Sequence, residues 1–519
     1  MMEDNLLRLL DIAYKKLKAY VFFDKTLLPL RDKIVQFEME NADITAVLSK
    51  LSAEIQQISH ESNNTYGELT DAALDSIDCY ILPKSVKANS ENSNVFTNIC
   101  NITSVDKKQY YIDMDVIGHI LGILWIMLVG CKIDETIFEN SYGNRIKKSF
   151  KFDTYSPYMF ESYFSQYESW RDTGLNQAKK LLANNKNAIM ITLDLHRFYY
   201  SVNLEKKTFD RIVNNVKISF KENSLKGIDN FIIAYLNHFV YDVCQMYSYK
   251  MQNFDEELVK DRIVLPIGFA PSAIISNLCL KKFDDAIIKG WNPTYYGRYV
   301  DDILIVDKVE DNSPLIGLIN SNKNAASSVI EHLLCNCDTW RREESRYRRN
   351  NVRGLFRTDK KSLMRKAHHN DDEVIEFYIN KEFLTFPKSE IKLQSKKVKL
   401  FYFDSTKSDA LIKCFQKNIR NNISEFRYLP EDEPVFASND YTEIYSLIEK
   451  GGPHKLNGIS EMELDKFRLS KFLGKYMRIS GLVDDARESQ FYADIEKIFT
   501  PDILLENYYK TLNIEALTM

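Results

Sequence analysis

Residues 296–306 read YGRYVDDILIV, and the fold follows from this stretch. Asp301 and Asp302 interrupt a run of aromatic and β-branched residues that is typical of two short strands. A hairpin turn between the strands would place both carboxylates at its tip. Two neighbouring carboxylates are costly to desolvate, and a divalent cation with hard oxygen ligands removes that cost. The stretch predicts a cation-binding hairpin, and an exposed Asp-Asp surface turn is the alternative that it leaves open.

Composition sets the class of protein. The chain has 519 residues, 45% of them apolar, and a net charge of −4, which gives no global sign of nucleic-acid binding. Eight scattered cysteines form no disulfide framework, and the first residues, MMEDNLLR, do not resemble a secretory signal. An apolar run at 116–130 is short for a membrane span and predicts a buried helix. We therefore expect a cytoplasmic protein with several domains.

Residues 1–135 are expected to be mostly helical, with a polar loop at 85–108. A long aromatic helix is expected from about 158 to 184, and a buried strand at 188–193 ends at Asp194. A single Asp at a strand end is weak evidence alone, because such residues often cap the next helix. Asp229 is itself a predicted N-cap, for a helix that extends to residue 248.

Two further segments suggest ligand contacts. Residues 265–272, LPIGFAPS, precede an apolar helix, and a Gly with two Pro there allows close approach of the backbone to a ligand. Residues 341–366 carry eleven Arg or Lys against three Asp or Glu, with interleaved aromatics. This pattern predicts nucleic-acid contact, and a solvated charged face is the alternative. The candidate contacts are Arg341, Arg342, Arg346, Arg348, Arg349 and Arg353.

The order of these parts is more specific than any one of them. A strand ending at Asp194, a Leu-Pro-x-Gly turn and an aromatic-x-Asp-Asp hairpin resemble, in that order, the palm of reverse transcriptases. The resemblance implies an α+β fold with a fingers–palm core at 136–403. A helical N-terminal region with the start of the fingers would occupy 1–135. An α-helical domain at 404–519 would replace a typical thumb.

The resemblance also implies a site. Two Mg²⁺ ions, or Mn²⁺ in their place, would be bound by Asp194, Asp301, Asp302 and the Leu195 carbonyl. Tyr199 matches the position of a sugar gate that excludes a 2′-OH, although core packing would also explain an aromatic residue there. The remaining candidate contacts to the dNTP are Arg145, Ile267, Gly268 and Lys388.

Shorter motifs narrow the resemblance. YGNR at 142–145, WRD at 170–172, FYYS at 198–201, KKVKLF at 396–401 and NNISEFR at 421–427 are similar to the bacterial abortive-infection, AbiK-type reverse transcriptases of the "unknown group". Ile267 stands where reverse transcriptases usually have Gln. In the resembling subgroup this goes with template-independent DNA synthesis primed by a protein tyrosine. A homo-oligomer and a role in phage defence are also implied.

Two other functions stay open at this stage. A reverse transcriptase of the same fold could copy a dedicated non-coding RNA. A catalytically inactive scaffold could sense phage components, although the presence of Asp194, Asp301 and Asp302 disfavours it.

Overall fold

A computed structural model of the chain describes residues 5–23, 25–59, 65–88, 103–147, 159–216, 228–321, 325–335, 363–368, 375–393 and 398–406. The chain forms two compact units, Met1–Asp404 and Ser405–Met519. The boundary expected at 135/136 falls inside this unit. The helices predicted for 408–519 and the six candidate arginines between 341 and 353 lie outside the described residues.

The N-terminal region begins with four helices. They are α1 (Asn5–Phe23), α2 (Leu28–Glu40), α3 (Ile44–Ser59) and α4 (Glu68–Asp75). Pro29 lies in the first turn of α2, where a missing backbone N–H breaks no helical hydrogen bond. The helical prediction for this part of the chain is confirmed.

A two-stranded ribbon follows, where a loop was expected at 85–108. Strands β1 (Asp78–Ala88) and β2 (Thr103–Asp113) pair antiparallel, with Asp78 opposite Asp113. The register shifts next to Pro83, which cannot donate a backbone hydrogen bond to the ladder. The loop prediction is wrong for the residues at both ends of that range, because backbone pairing can hold a ribbon together without apolar side chains.

The apolar run forms the core helix of the unit. Helix α5 (Val116–Trp125) continues through one π-helical turn, Ile126–Gly130, into α6 (Cys131–Asp134). This helix is long and apolar enough to cross a membrane, but 94% of its apolar window is buried inside the protein. The prediction of a buried helix is confirmed.

The next elements build the central domain. They are α7 (Tyr163–Ala183), β3 (Asn187–Asp194), α8 (Phe198–Ser201), α9 (Lys206–Asn214), α10 (Asn230–Gln252), α11 (Glu256–Val259) and α12 (Ala270–Ala286). Asp229 caps α10, since its Oδ1 accepts hydrogen bonds from the backbone N–H groups of Phe231 and Ile232 at 2.9 and 3.0 Å. The predicted strand end at Asp194 is also confirmed.

The remaining elements complete the sheets. They are β4 (Tyr295–Tyr299), β5 (Asp302–Val309), α13 (Pro314–Ser321), α14 (Ala325–Ile330), β6 (Met364–His368), β7 (Ile375–Ile379) and β8 (Lys399–Phe403). Four strands form an antiparallel sheet in the order β4-β5-β3-β8, and β6 pairs with β7. Central β3 is almost wholly buried. Helix α7 packs so closely on the sheet that a Cβ at Gly174 would lie 2.5 Å from Leu304 Cδ2.

Candidate active site

A tight turn joins β4 to β5 and carries the two adjacent carboxylates. Tyr299 pairs with Asp302, so Val300 and Asp301 alone form the turn. Val300 has φ of +55°, a left-handed conformation that a β-branched residue rarely adopts. That conformation costs on the order of 1–3 kcal/mol of folding free energy, so the surrounding structure must hold Val300 in it. The predicted hairpin is confirmed, with backbone strain at its tip.

The end of β3 lies beside this turn. Asp194 is the cross-strand partner of Asp302, and the Leu195 N–H donates a hydrogen bond to the Asp301 carbonyl at 3.2 Å. All three aspartates are half-buried, whereas the Leu195 side chain is buried. The backbone therefore brings Asp194 next to two carboxylates that follow it by more than a hundred residues in the chain.

The donor set suits a divalent cation. Carboxylates that face each other directly across a strand pair repel, and a cation between them turns that repulsion into attraction. Among the described residues, no three His, Cys, Asp or Glu side chains already lie close enough together to hold a metal ion. Binding must then draw the carboxylates together by side-chain rotation, which half-buried aspartates at strand ends permit. Asp194, Asp301 and Asp302 are the residues that would hold the ion.

Tyr199, on α8, lies close to the carboxylates. Its carbonyl accepts a hydrogen bond from the Leu265 N–H at 3.2 Å, and its hydroxyl bonds to Ser276 and to Asn144 Nδ2, the latter at 3.4 Å. Burial raises the pKa of Tyr199 to about 12, and the charge of Asp301 acts in the same direction. The hydroxyl is therefore neutral at physiological pH. Asn144 and Ser276 hold the ring through its hydroxyl, and Leu265 holds the Tyr199 backbone.

The Leu-Pro-Ile-Gly turn contacts the N-terminal ribbon through its backbone. The Ile267 carbonyl accepts a hydrogen bond from the Ile112 N–H at 2.9 Å, and Gly268 has φ of +94°. A Cβ at Gly268 would lie 3.2 Å from Leu27 Cδ2, so glycine suits both the conformation and the space. Contact of Ile267 and Gly268 with a nucleotide stays a prediction.

Arg145, the predicted triphosphate contact, forms four hydrogen bonds within the protein, and its contact with triphosphate stays a prediction. Its Nε donates to Asp134 Oδ1 at 2.8 Å, and Nη1 and Nη2 donate to the carbonyls of Phe138, Ser141 and Asp134 at 2.9–3.1 Å. Burial raises the pKa of Asp134, while the charge of Arg145 opposes that effect. The guanidinium is thus used within its own loop, which it joins to the end of α6.

Lys388 lies at the surface. Its side chain is 73% exposed, and its Nζ is 3.5 Å from Glu205 Oε1, just before α9. Its predicted role as a proton donor to pyrophosphate is not tested by this contact and stays a prediction.

A cluster of aromatic rings beside the hairpin was not singled out from the sequence. Tyr163 and Tyr167 of α7 lie edge-on to the Tyr299 ring, with centroid distances of 5.3 and 5.4 Å, and Trp170 is 6.2 Å from it. Tyr163 is 47% exposed. Partial burial raises the pKa of Tyr163, as do Tyr167 and the charges of Asp302 and Asp301. The spacing 163, 167, 170 is a helical stripe that could have indicated this face.

The comparison with known families agrees with this geometry. Residues 125–331 match the family described as Reverse transcriptase (RNA-dependent DNA polymerase). The chain therefore carries a reverse transcriptase domain. This match confirms the expected palm and the α+β fold class. The matched range includes Asp194, Tyr199, Asp301 and Asp302. A search of curated proteins finds no match to the chain.

The family supports a polymerase-type nucleotidyltransferase, with nucleotides as substrates and nucleic acid as template and product. Domains of this family generally use divalent metal ions such as Mg²⁺. This agrees with the carboxylate donors at the hairpin tip.

The internal bonding of Arg145 gives a prediction. Arg145→Ala should lower the free energy of unfolding by about 2–3 kcal/mol, because it leaves the mostly buried Asp134 carboxylate without its cation. Chemical denaturation monitored by circular dichroism measures the loss. At a temperature where the variant is folded, its KM for dNTP should equal that of the wild type. A raised KM with unchanged stability would restore the triphosphate role.

Proposed function

We propose that this chain is a DNA polymerase that transfers deoxynucleotides with Asp194, Asp301 and Asp302 as catalytic carboxylates. The observation that carries the proposal is the register of β3 and β5, which sets Asp194 opposite Asp302 and next to the Asp301 turn. These residues lie within the reverse transcriptase domain. Paired aspartates also occur in other folds. Here, however, the carboxylates lie near Tyr199, whose backbone is hydrogen-bonded to Leu265 of the Leu-Pro-Ile-Gly turn.

Nucleotidyl transfer is an in-line attack of an oxygen nucleophile on the α-phosphate, with pyrophosphate as the leaving group. Two Mg²⁺ ions, or Mn²⁺ in their place, would stabilise the attacking and leaving oxygens. Asp194 and Asp301 would bind both ions, and Asp302 and the Leu195 carbonyl would lie beside them. The paired strands fix the backbone of these donors before substrate arrives, so that cation binding requires rotation of side chains rather than movement of strands.

Other residues would orient the substrate. Tyr199 would exclude the 2′-OH of a ribonucleotide, and Ile267 and Gly268 would lie against the incoming nucleotide and the primer end. Lys388 would donate a proton to pyrophosphate. The arginines from Arg341 to Arg353 would contact the nucleic-acid strand.

The finer proposal is template-independent synthesis, primed by a protein tyrosine, in bacterial phage defence by abortive infection. It is supported by the motifs at 142–145, 170–172 and 198–201, and by Ile267, which has no amide to hydrogen-bond near a base pair. The enzyme would act in the bacterial cytoplasm as a homo-oligomer, with DNA attached to the protein as its product.

Tyr163 is a candidate for the priming residue. Its ring is half-exposed, and its hydroxyl interacts electrostatically with both Asp301 and Asp302. Those charges disfavour the phenolate that would attack a phosphate. Cations bound at the carboxylates would reverse the effect and favour it. Bond formation from Tyr163 Oη to the α-phosphorus would release pyrophosphate and the hydroxyl proton.

Two rivals differ in what they require. A reverse transcriptase that copies a dedicated non-coding RNA needs co-purified RNA, so ribonuclease treatment abolishes its synthesis. An inactive scaffold needs no carboxylates for defence. Purified protein, incubated with each dNTP and Mg²⁺ and without nucleic acid, separates the first rival from template-independent synthesis.

The catalytic carboxylates give the first test. Asp301→Ala combined with Asp302→Ala should reduce dNTP incorporation at least about a thousandfold, because the site loses two of its metal-binding side chains. Labelled dNTP incorporation and phage plaque counts are the two measurements. Asp285→Ala, at an exposed acidic position on α12, is the matched control and should retain full activity. Defence that survives the double change would favour the scaffold.

Tyr199 gives a second test. Tyr199→Ala should raise the use of ribonucleotides relative to deoxynucleotides by about tenfold or more, because the ring no longer blocks a 2′-OH. Tyr199→Phe keeps the ring and should preserve the discrimination. Competition between labelled dNTP and rNTP measures it. If Tyr199→Ala only loses stability and discriminates as before, the ring serves core packing.

Tyr163 gives a third test. Tyr163→Phe should abolish the covalent protein–DNA adduct in mass spectrometry, because phenylalanine has no attacking hydroxyl. The variant should still extend a supplied DNA primer. Tyr249→Phe, at an exposed position of α10, is the control and should retain the adduct. An unchanged adduct in Tyr163→Phe would assign priming to another residue.

A further inference from the structure

Arg298 of β4 is completely buried directly behind the catalytic turn. Its side chain lies on the opposite sheet face from that of Tyr299, its neighbour in the strand. An arginine without solvent must satisfy its charge and its five N–H donors internally. The partners that satisfy Arg298 show what the residue does.

The guanidinium of Arg298 joins helix α12 to the hairpin turn. Its Nη2 and Nε form an ion pair with Asp284 of α12, at 2.8 and 3.0 Å to the nearest carboxylate oxygens. Its Nη1 donates to Asn277 Oδ1 and to the Val300 carbonyl, both at 2.9 Å. Asp284 also accepts a hydrogen bond from the Tyr296 hydroxyl. Asp284 thus fixes the Nε and Nη2 edge of the guanidinium, and Nη1 is left to hold the turn through the Val300 carbonyl.

The opposite side of Val300 is also enclosed. A Cβ at Gly143 would lie 2.8 Å from the Val300 nitrogen and 2.6 Å from its Cγ2, so only glycine fits there. Asn277 Nδ2 donates to the Gly143 carbonyl at 2.9 Å, and this bond fixes the 142–145 loop against the hairpin. Asn277 therefore serves both Arg298 and Gly143.

The hydrogen bond from Arg298 stabilises the strained conformation of the turn. Val300 stays at φ of +55° only where its surroundings outweigh the cost of that conformation. The hydrogen bond from the charged Arg298 guanidinium to the Val300 carbonyl is of the stronger, charge-assisted kind and offsets that cost. If the turn relaxed, Asp301 would move relative to Asp194, because these residues meet through the Leu195 to Asp301 backbone bond.

We propose that Arg298 is a positioning residue for catalysis, which holds the Val300 carbonyl and thereby fixes Asp301 for cation binding, with Asp284 and Asn277 orienting its guanidinium. The proposal rests on the function proposed above. A purely structural Arg298 would lower global stability alone. A positioning Arg298 also changes cation affinity in protein that is fully folded, and its effect depends on the strain at Val300.

The first variant is Arg298→Lys, which keeps a cation for Asp284 but loses the fork that reaches Val300. Mn²⁺ binding to the full chain in the presence of one dNTP, followed by electron paramagnetic resonance, should weaken about tenfold, as expected for one lost charge-assisted hydrogen bond. The rate constant kcat should fall in parallel. Arg31→Lys is the matched control, because Arg31 is also buried and donates to a backbone carbonyl, that of Val21. The control should bind Mn²⁺ as the wild type does.

A double-mutant cycle makes the test specific. Val300→Gly removes the steric cost of the left-handed turn. In that background Arg298→Lys should weaken Mn²⁺ binding by no more than about threefold, because a glycine turn needs less support. Equal effects in both backgrounds, or wild-type Mn²⁺ affinity in folded Arg298→Lys, would overturn the proposal. If Arg298→Lys fails to fold, Asn277→Ala takes its place. It should also weaken Mn²⁺ binding less in the Val300→Gly background, and equal effects in both backgrounds or wild-type affinity would overturn the proposal.

The function proposed above fails separately from this inference. If wild-type protein incorporates no dNTP and its Mn²⁺ binding is unaffected by Asp301→Ala, the polymerase proposal is wrong. If Asp301→Ala removes Mn²⁺ binding while Arg298→Lys and Asn277→Ala leave it unchanged, only the positioning role is wrong.

Discussion

The pairing that sets the carboxylates of Asp194 and Asp302 opposite each other is the constraint on which the site depends. Antiparallel pairing of β3 and β5 sets these carboxylates directly opposite each other, and Asp301 lies in the adjoining turn. Like charges in that relation oppose strand pairing. The apolar residues of β3 and β5 hold the strands together regardless, since both strands are largely buried. The fold thereby maintains a concentration of negative charge that a divalent cation can neutralise.

The turn that carries Asp301 needs support from distant segments. Val300 is left-handed, Gly143 packs against it, and Arg298 holds its carbonyl. Helix α12 contributes through Asn277 and Asp284, so a helix, a loop and a hairpin share one buried polar network. A buried polar network destabilises the protein when some of its groups lack hydrogen-bond partners. When every group is hydrogen-bonded, the network favours a single arrangement of the core. The helix α7 aromatics cover the sheet face on the other side of the hairpin.

The sequence was sufficient for the elements with a strong local signal. The strand ending at Asp194, the hairpin at Asp301 and the Asp229 cap follow from alternation, turn chemistry and capping, which act over a few residues. The facing ends of β1 and β2, within the loop predicted at 85–108, were not recognised because their polar residues follow no hydrophobic pattern. The bonds of Arg145 to Asp134 could not be predicted from the sequence, because they depend on tertiary structure. Arg298 is a single cation in an apolar strand, and that pattern indicates a buried ion pair. Its partners in α12 could not be predicted from spacing.

The central claim is that Asp194 and Asp301 bind the catalytic cations, with Asp302 beside them. Anomalous X-ray scattering from crystals grown with Mn²⁺ and a non-hydrolysable dNTP analogue tests it most directly. The account predicts Mn²⁺ peaks about 2.0–2.3 Å from oxygens of Asp194 and Asp301, with the analogue's phosphates completing the coordination. Mn²⁺ bound elsewhere in the domain, with these carboxylates left without metal beside a bound analogue, would contradict it.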